Sequence, residues 1–249
     1  MLCRIVTNDR RPTLRRTVRI LIVLAPLIAL LEPGFASGAA LIANSGFESG
    51  FTGWSRADAL GSEETFSLQF GTTSPISGDV VPSPPGGTAA AMSDAQGPGS
   101  HVLYQDFAVP SGVSNAVLAF DLFIGNRAVA FFTPSPETLD FSTPVLNQQA
   151  RVDVLRAGTD PFSVAASDVL LNLLQTNPGD PLVSGYVSHT TDLSALLAAH
   201  AGETLRLRFA ETDDEKTIGG GLRRLSDGSY FWLASRPQPH ASGCEQVCK

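Results

Sequence analysis

Few side chains in this 249-residue chain stand at spacings that chemistry needs. Ser100-His101, Glu63-Glu64 and Asp213-Asp214 are nucleophile, base or carboxylate pairs adjacent in sequence. Neighbours on an extended strand point to opposite faces, so adjacency is poor geometry for a shared site. His101, His189, His200 and His240 show no metal-ligand spacing, and Gly-x-Ser-x-Gly, His-Glu-x-x-His and phosphate-cradling loops are absent. Catalysis is therefore not expected, although a carboxylate pair distant in sequence is not excluded by motifs. A more coherent set lies on the polar side of several alternating runs: Tyr104, Asp106, Asp121, Arg151, Asp153, Arg206 and Arg208. If these runs are neighbouring strands, the seven residues line one concave polar face able to hydrogen-bond sugar hydroxyls. The plainer alternative is a set of cross-strand ion pairs on a solvated face.

The elements that must position them read as strands. Thr65–Phe70 alternates, with Phe66, Leu68 and Phe70 on one side. His101–Val109 places Leu103, Phe107 and Val109 opposite Tyr104 and Asp106. Ala116–Ile124 groups Leu118, Phe120, Leu122 and Ile124, and Thr204–Phe209 sets Leu205, Leu207 and Phe209 against Arg206 and Arg208. Thr88–Met92 and Ala150–Leu155 are further strand candidates, and Asp168–Gln175 fits helix or strand, with the turn signal Asn177-Pro178-Gly179-Asp180 favouring strand. Period-two alternation of this kind marks half-buried antiparallel strands. One short helix is expected over Asp192–His200, with Asp192 as its cap and Gly202 as its stop. The 23 Gly and 17 Pro supply turns, and 43% apolar content suffices for a core. The expected class is all-β, two packed sheets in a single sandwich with one short helix.

Residues 1–39 read as an address. Six Arg precede the apolar run Ile20–Leu31, and the small residues Ala36-Ser37-Gly38-Ala39-Ala40 follow. This is the build of a secretory signal peptide, and the apolar run falls short of the roughly 20 residues that span a bilayer. Cleavage there leaves an exported chain, periplasmic or extracellular, with no stable membrane span. Its net charge falls from −7 for the whole chain to −11 without residues 1–40. Nucleic acid is an improbable partner for so acidic a surface. Cys3 goes with the leader, and Cys244 and Cys248 near the far end could close only a small local loop.

The stretch Asn44-Ser45-Gly46-Phe47-Glu48-Ser49-Gly50, followed by Gly53-Trp54, resembles the opening of galactose-binding-like jelly rolls. These include carbohydrate-binding modules of secreted glycosidases. Ala201–Phe209 is similar to the penultimate strand of the same group. The resemblance spans about residues 41–212 and implies a galactose-binding-like jelly-roll β-sandwich over 40–211. Phe47 and Trp54 would anchor its first loop to the core. It further implies an exported, non-catalytic protein that binds a glycan or an extracellular matrix component. The alternative is a structural surface or matrix protein that makes protein contacts and has no sugar site. Such sandwiches often hold a structural calcium ion through a glutamate placed like Glu48 and a late aspartate. That aspartate is missing here unless Asp213 or Asp214 substitutes; otherwise Glu48 accepts backbone hydrogen bonds.

The chain also resembles uncharacterised exported bacterial proteins that share this sandwich and often end in a Pro-Glu-Pro sorting signal. Pro237-Gln238-Pro239 does not match that signal. Relatives close the sandwich with a final strand reading roughly Asp-Asp/Asn-Val-Ser-Leu, and no such strand is legible after Glu211. Residues 212–249 therefore read as a divergent tail that a one-base frameshift would explain. Gly221–Gly228 can be encoded as GGG CTT CGA CGT CTC TCT GAC GG, which in the shifted frame gives Gly-Phe-Asp-Val-Ser-Leu-Thr. A missing strand would leave neighbouring edges open and the domain less stable.

Overall fold

A computed structural model describes residues 40–94 and 97–214, together with the backbone of a strand at 229–234. The leader, the two late cysteines and the Pro237-Gln238-Pro239 segment lie outside the described residues. Ten strands and one helix follow in the order β1 (Ser55–Asp58), β2 (Phe66–Phe70), β3 (Ala89–Asp94), β4 (Gly99–Ala108), β5 (Val117–Asn126), β6 (Gln149–Arg156), β7 (Val169–Gln175), β8 (Val183–Asp192), α1 (Ser194–Ala199), β9 (Thr204–Asp213) and β10 (Ser229–Ala234). They form two five-stranded sheets, ordered β1-β4-β9-β6-β7 and β2-β3-β10-β5-β8. Every pairing is antiparallel, and the chain crosses repeatedly from one sheet to the other. This is a jelly-roll β-sandwich, as the alternating runs require.

The alternation decides which side chains meet between the layers. Leu103 and Phe107 of β4, Phe120 and Leu122 of β5, Val152 and Val154 of β6, and Leu205, Leu207 and Phe209 of β9 share one buried cluster. Each such residue contributes about 1.5–3 kcal/mol on leaving water. Phe209 stands edge-on to Phe120 with ring centroids 5.5 Å apart, and Trp54 lies 6.1 Å from it on the other side. Phe47 and Trp54 both plug the first loop into this core, with centroids 5.2 Å apart. The loop turns tightly enough that Phe47 itself takes a positive φ of 56°, with Gly50 and Gly53 also in that region. Asn44 ties the turn together, donating through Nδ2 to Gly50 O at 2.8 Å and accepting from Ser49 N at 3.1 Å.

Three expectations need correction. The helix is Ser194–Ala199 with Leu193 at its N-cap; Asp192 ends β8 instead, its Oδ1 accepting from Ser194 N at 2.8 Å. The outward side of the first sheet is largely covered, with Leu139, Phe162 and Val164 packed over Val102 and Ala210, and its margin at Asp106 stays exposed. Finally, the sandwich does have a closing strand. β9 runs on to Asp213, and β10 pairs with β3 on one side and β5 on the other. Its run Tyr230-Phe231-Trp232-Leu233-Ala234 is apolar at consecutive positions, so it shows no period of two. β10 thus occupies the closing position between β3 and β5 that the sequence reading leaves empty.

Candidate functional site

The polar side chains singled out on β4, β6 and β9 do gather on one face. Asp153 is at its centre, fully buried between Arg151 and Arg208. It accepts from Arg151 Nε and Nη2, both at 2.8 Å, from Arg208 Nε at 3.1 Å, and from Asn172 Nδ2 at 2.8 Å. Arg208 Nη2 also bonds Asp153, and Arg151 Nη1 reaches Glu137. Burial pushes the Asp153 carboxyl up, but the hydrogen bonds from Arg151 and the charge of Arg208 outweigh it and hold it below the usual range. Arg208 Nη1 donates to Pro161 O at 2.8 Å and Ser163 O at 2.7 Å. These groups therefore clasp a loop onto the sheet and do not face an incoming ligand.

Further along the same face, Arg206 grips Asp106 in a two-pronged pair, Nε to Oδ1 at 2.6 Å and Nη2 to Oδ2 at 3.0 Å. Its guanidinium carbon lies 4.1 Å over the Tyr104 ring, so the cation occupies the ring face that a sugar would use. Arg206 Nη1 also donates to Thr159 O at 2.9 Å. Asp121 does not join the group. It stands on β5 in the second sheet, where its Oδ1 accepts from Ser188 Oγ. The chain changes sheets between β4 and β5, which a strand-by-strand reading does not reveal. Ser100 and His101 likewise part, with His101 turned inward to Asp58 at 2.7 Å.

Glu48 is held as an acceptor. Thr88 N at 2.7 Å, Thr88 Oγ1 at 2.6 Å and Ala89 N at 3.1 Å all donate to it. The Thr88 hydroxyl, then the Thr88 and Ala89 amides, lower its pKa. Calcium takes six to eight oxygens, and these donors occupy the positions where a cation would need acceptors. Asp213 pairs beside Gly99, past the far end of β3 from Ala89, and Asp214 Oδ2 accepts from Asn147 N at 2.6 Å. Among the described residues no three His, Cys, Asp or Glu side chains are placed to hold a metal ion.

A cleft that the alternation did not signal opens at the end of β5. Its volume is about 360 Å³, and Asp79, Val80, Val81, Phe123, Gly125, Asn126, Arg127 and Val183 line it. The floor is apolar, Phe123 packing with Val81, Met92 and Tyr186. The rim is polar. Arg127 Nη1 donates to Asp79 Oδ2 at 3.1 Å, and Nη2 lies 3.6 Å from Asp94 Oδ1. Asp94 in turn pins the loop that carries Asp79, its Oδ2 accepting from Ile76 N at 2.9 Å and Ser77 N at 2.7 Å. A bulge between Ile124 and Gly125 sets two residues of β8 against one step of β5 and lies at the mouth of the cleft. The only hint in the sequence is the abrupt polar break Gly125-Asn126-Arg127 after an apolar run.

No family model matches the chain, and no curated protein does. Solved structures similar to it include TmCBM61 in complex with β-1,4-galactotriose, at 10% identity and a TM-score of 0.41, covering 80% of this chain and 96% of that one. The K2 cleaved adhesin domain of Lys-gingipain shows 12% identity and a TM-score of 0.38 over 74% of this chain and 86% of that one. The CBM22-2 xylan-binding domain of Paenibacillus barcinonensis Xyn10C shows 12% and 0.29, over 76% and 96%. At such identities the ligand has to be argued from this chain's own residues.

Proposed function

We propose that this chain is an exported, non-catalytic β-sandwich that binds a glycan or an extracellular matrix component, with the sugar seated in the cleft beside β5. The carrying observation is the cleft itself: an apolar floor at Phe123 and Val81 under a rim of Arg127, Asp79 and Asn126. Small-ligand sites share that build and run from about 300 to 1,000 Å³. A sugar ring presents C–H groups on its faces and hydroxyls at its edge, which suits a floor and rim of this kind. The acidic charge left after removal of the leader favours neutral glycans over polyanions. Export rests on the basic, apolar and small-residue segments of the leader. No helix of the described residues is long and apolar enough to cross a membrane.

Affinity electrophoresis against a panel of neutral polysaccharides tests the reading. At least one polysaccharide should retard the protein, and Arg127→Ala should weaken that binding about tenfold or more, as removal of a charged hydrogen-bonding partner does. Migration unchanged by every glycan would refute it. The protein-contact reading draws on β8, an edge strand with Val183 64% and Val187 42% exposed. Self-association without any sugar binding would favour that second reading.

A further inference from the structure

At one end of the sandwich the two sheets meet over ionisable groups instead of apolar ones. The inward series Leu205, Leu207, Phe209 of β9 continues with Glu211, which is 1% exposed. His101, its register partner on β4, is also 1% exposed, and Asp58 of β1 stands beyond it. From the opposing sheet Ser93 of β3 faces the Glu211 carboxyl. The titratable groups around Glu211 among the described residues are His101 on β4, Asp58 on β1, Asp94 on β3 and Asp213 on β9 itself. Apart from the histidine all are acids. Neither carboxylate oxygen of Glu211 sits in a well-formed hydrogen bond, and His101 Nε2 has no partner.

Among the described residues no Lys or Arg pairs with Glu211 and only the Ser93 hydroxyl donates to it, and a carboxylate so buried is far costlier charged than uncharged. Burial raises the Glu211 pKa well above its ordinary value; Ser93 opposes the rise only in part, and Asp213, Asp94 and Asp58 add to it. We infer that Glu211 is a proton-operated latch: uncharged, it lets β9 close on β3, and ionised, it parts the two sheets at this end. The effect reaches the cleft because the neighbour of Ser93 is Asp94, which holds both the Ile76–Ser77 amides and Arg127. Acid therefore keeps the cleft wall taut and rising pH slackens it. That last step rests on the cleft being the ligand site; the latch does not.

The native state retains a proton that the unfolded chain releases. The stabilisation is thus complete below the ordinary glutamate pKa and is lost as pH rises through the raised value. Melting temperature measured between about pH 4 and pH 8 should fall for the wild-type protein, and Glu211→Gln should remove most of that fall. Infrared spectra should show a protonated carboxyl stretch near neutral pH that the variant lacks. Should the variant fail to fold, amide exchange in β3 and β9 of the wild-type protein provides the readout. It should rise with pH beyond the intrinsic chemical rate, and no excess would overturn the latch. Parallel melting profiles, or abolition of the wild-type pH dependence by added calcium, would also overturn it. A falling profile with no glycan bound at either pH would support the latch and refute the cleft.

Discussion

Asp153 offers the sharpest test of how the first sheet's outer face is built. Asp153→Asn preserves shape but removes the charge that neutralises two guanidiniums, one of them, Arg208, fully buried. Breaking a buried pair from one side costs about 3–5 kcal/mol, because the surviving charge is left uncompensated. Two facing arginines put this case toward the upper end. For a domain of this size each kcal/mol moves the melting temperature by about 2–4 °C, so a drop of roughly 6–20 °C is expected. Against a total stability of about 5–15 kcal/mol, that is a large fraction. Urea unfolding followed by circular dichroism should show the midpoint falling with little change in slope. A combined Arg151→Met, Asp153→Leu, Arg208→Met variant should lose less than the single change, since the one charge left without its partner, Glu137, is partly exposed and not buried. The Asp153 contribution is present above the unfolded carboxylate pKa and is lost as pH falls through the lowered native value. A single-variant loss below about 1 kcal/mol, the scale of an exposed pair, would refute the claim that these groups clasp the covering loop.

Phe209→Ala empties space between Phe120 and Trp54 and should cost about 3–5 kcal/mol by calorimetry. Gly87→Ala should lower stability by at least about 1 kcal/mol in chemical unfolding. Its φ is +71°, and a Cβ there would run into the Glu48 carboxylate. Glu48→Gln should be less stable than wild type near neutral pH and equal to it in acid, because the depressed Glu48 pKa adds stability only above the ordinary carboxylate range. Melting curves across that range, with and without added calcium, check this; calcium should change neither protein.

Strand faces were legible wherever one side of a strand meets the core. Leu103 and Phe107, Phe120 and Leu122, and Leu205 through Phe209 all turn inward as their alternation demands. Asp168–Gln175, ambiguous by pattern, becomes β7 at Val169–Gln175, next to the turn at Asn177–Asp180. The pattern says nothing of what lies over the other face. Arg208 and Asp153 alternate outward as expected and are nonetheless buried, because Pro161 and Ser163 on a distant loop reach back to them. Sheet membership was equally hidden: Asp106 and Asp121 occupy equivalent polar positions on consecutive strands and end on different sheets. β8 escaped notice because Ser184, Gly185, Ser188 and Thr190 give an edge strand little apolar signature. The cleft was missed for a related reason, since it draws on a loop, a bulge and two strand ends, and no period links them.

The place of β10 between β3 and β5 sets a timetable for synthesis. Until it emerges, the second sheet exists as two separate hairpin-like pairs, β2 with β3 and β5 with β8, whose inner margins have nothing to dock against. Long-range closure of this kind is slow, and it cannot begin while the ribosome still holds the decisive segment. Under the export proposed above, a nascent polypeptide delayed in this way would stay threadable through a translocation pore for longer than one that could seal itself early.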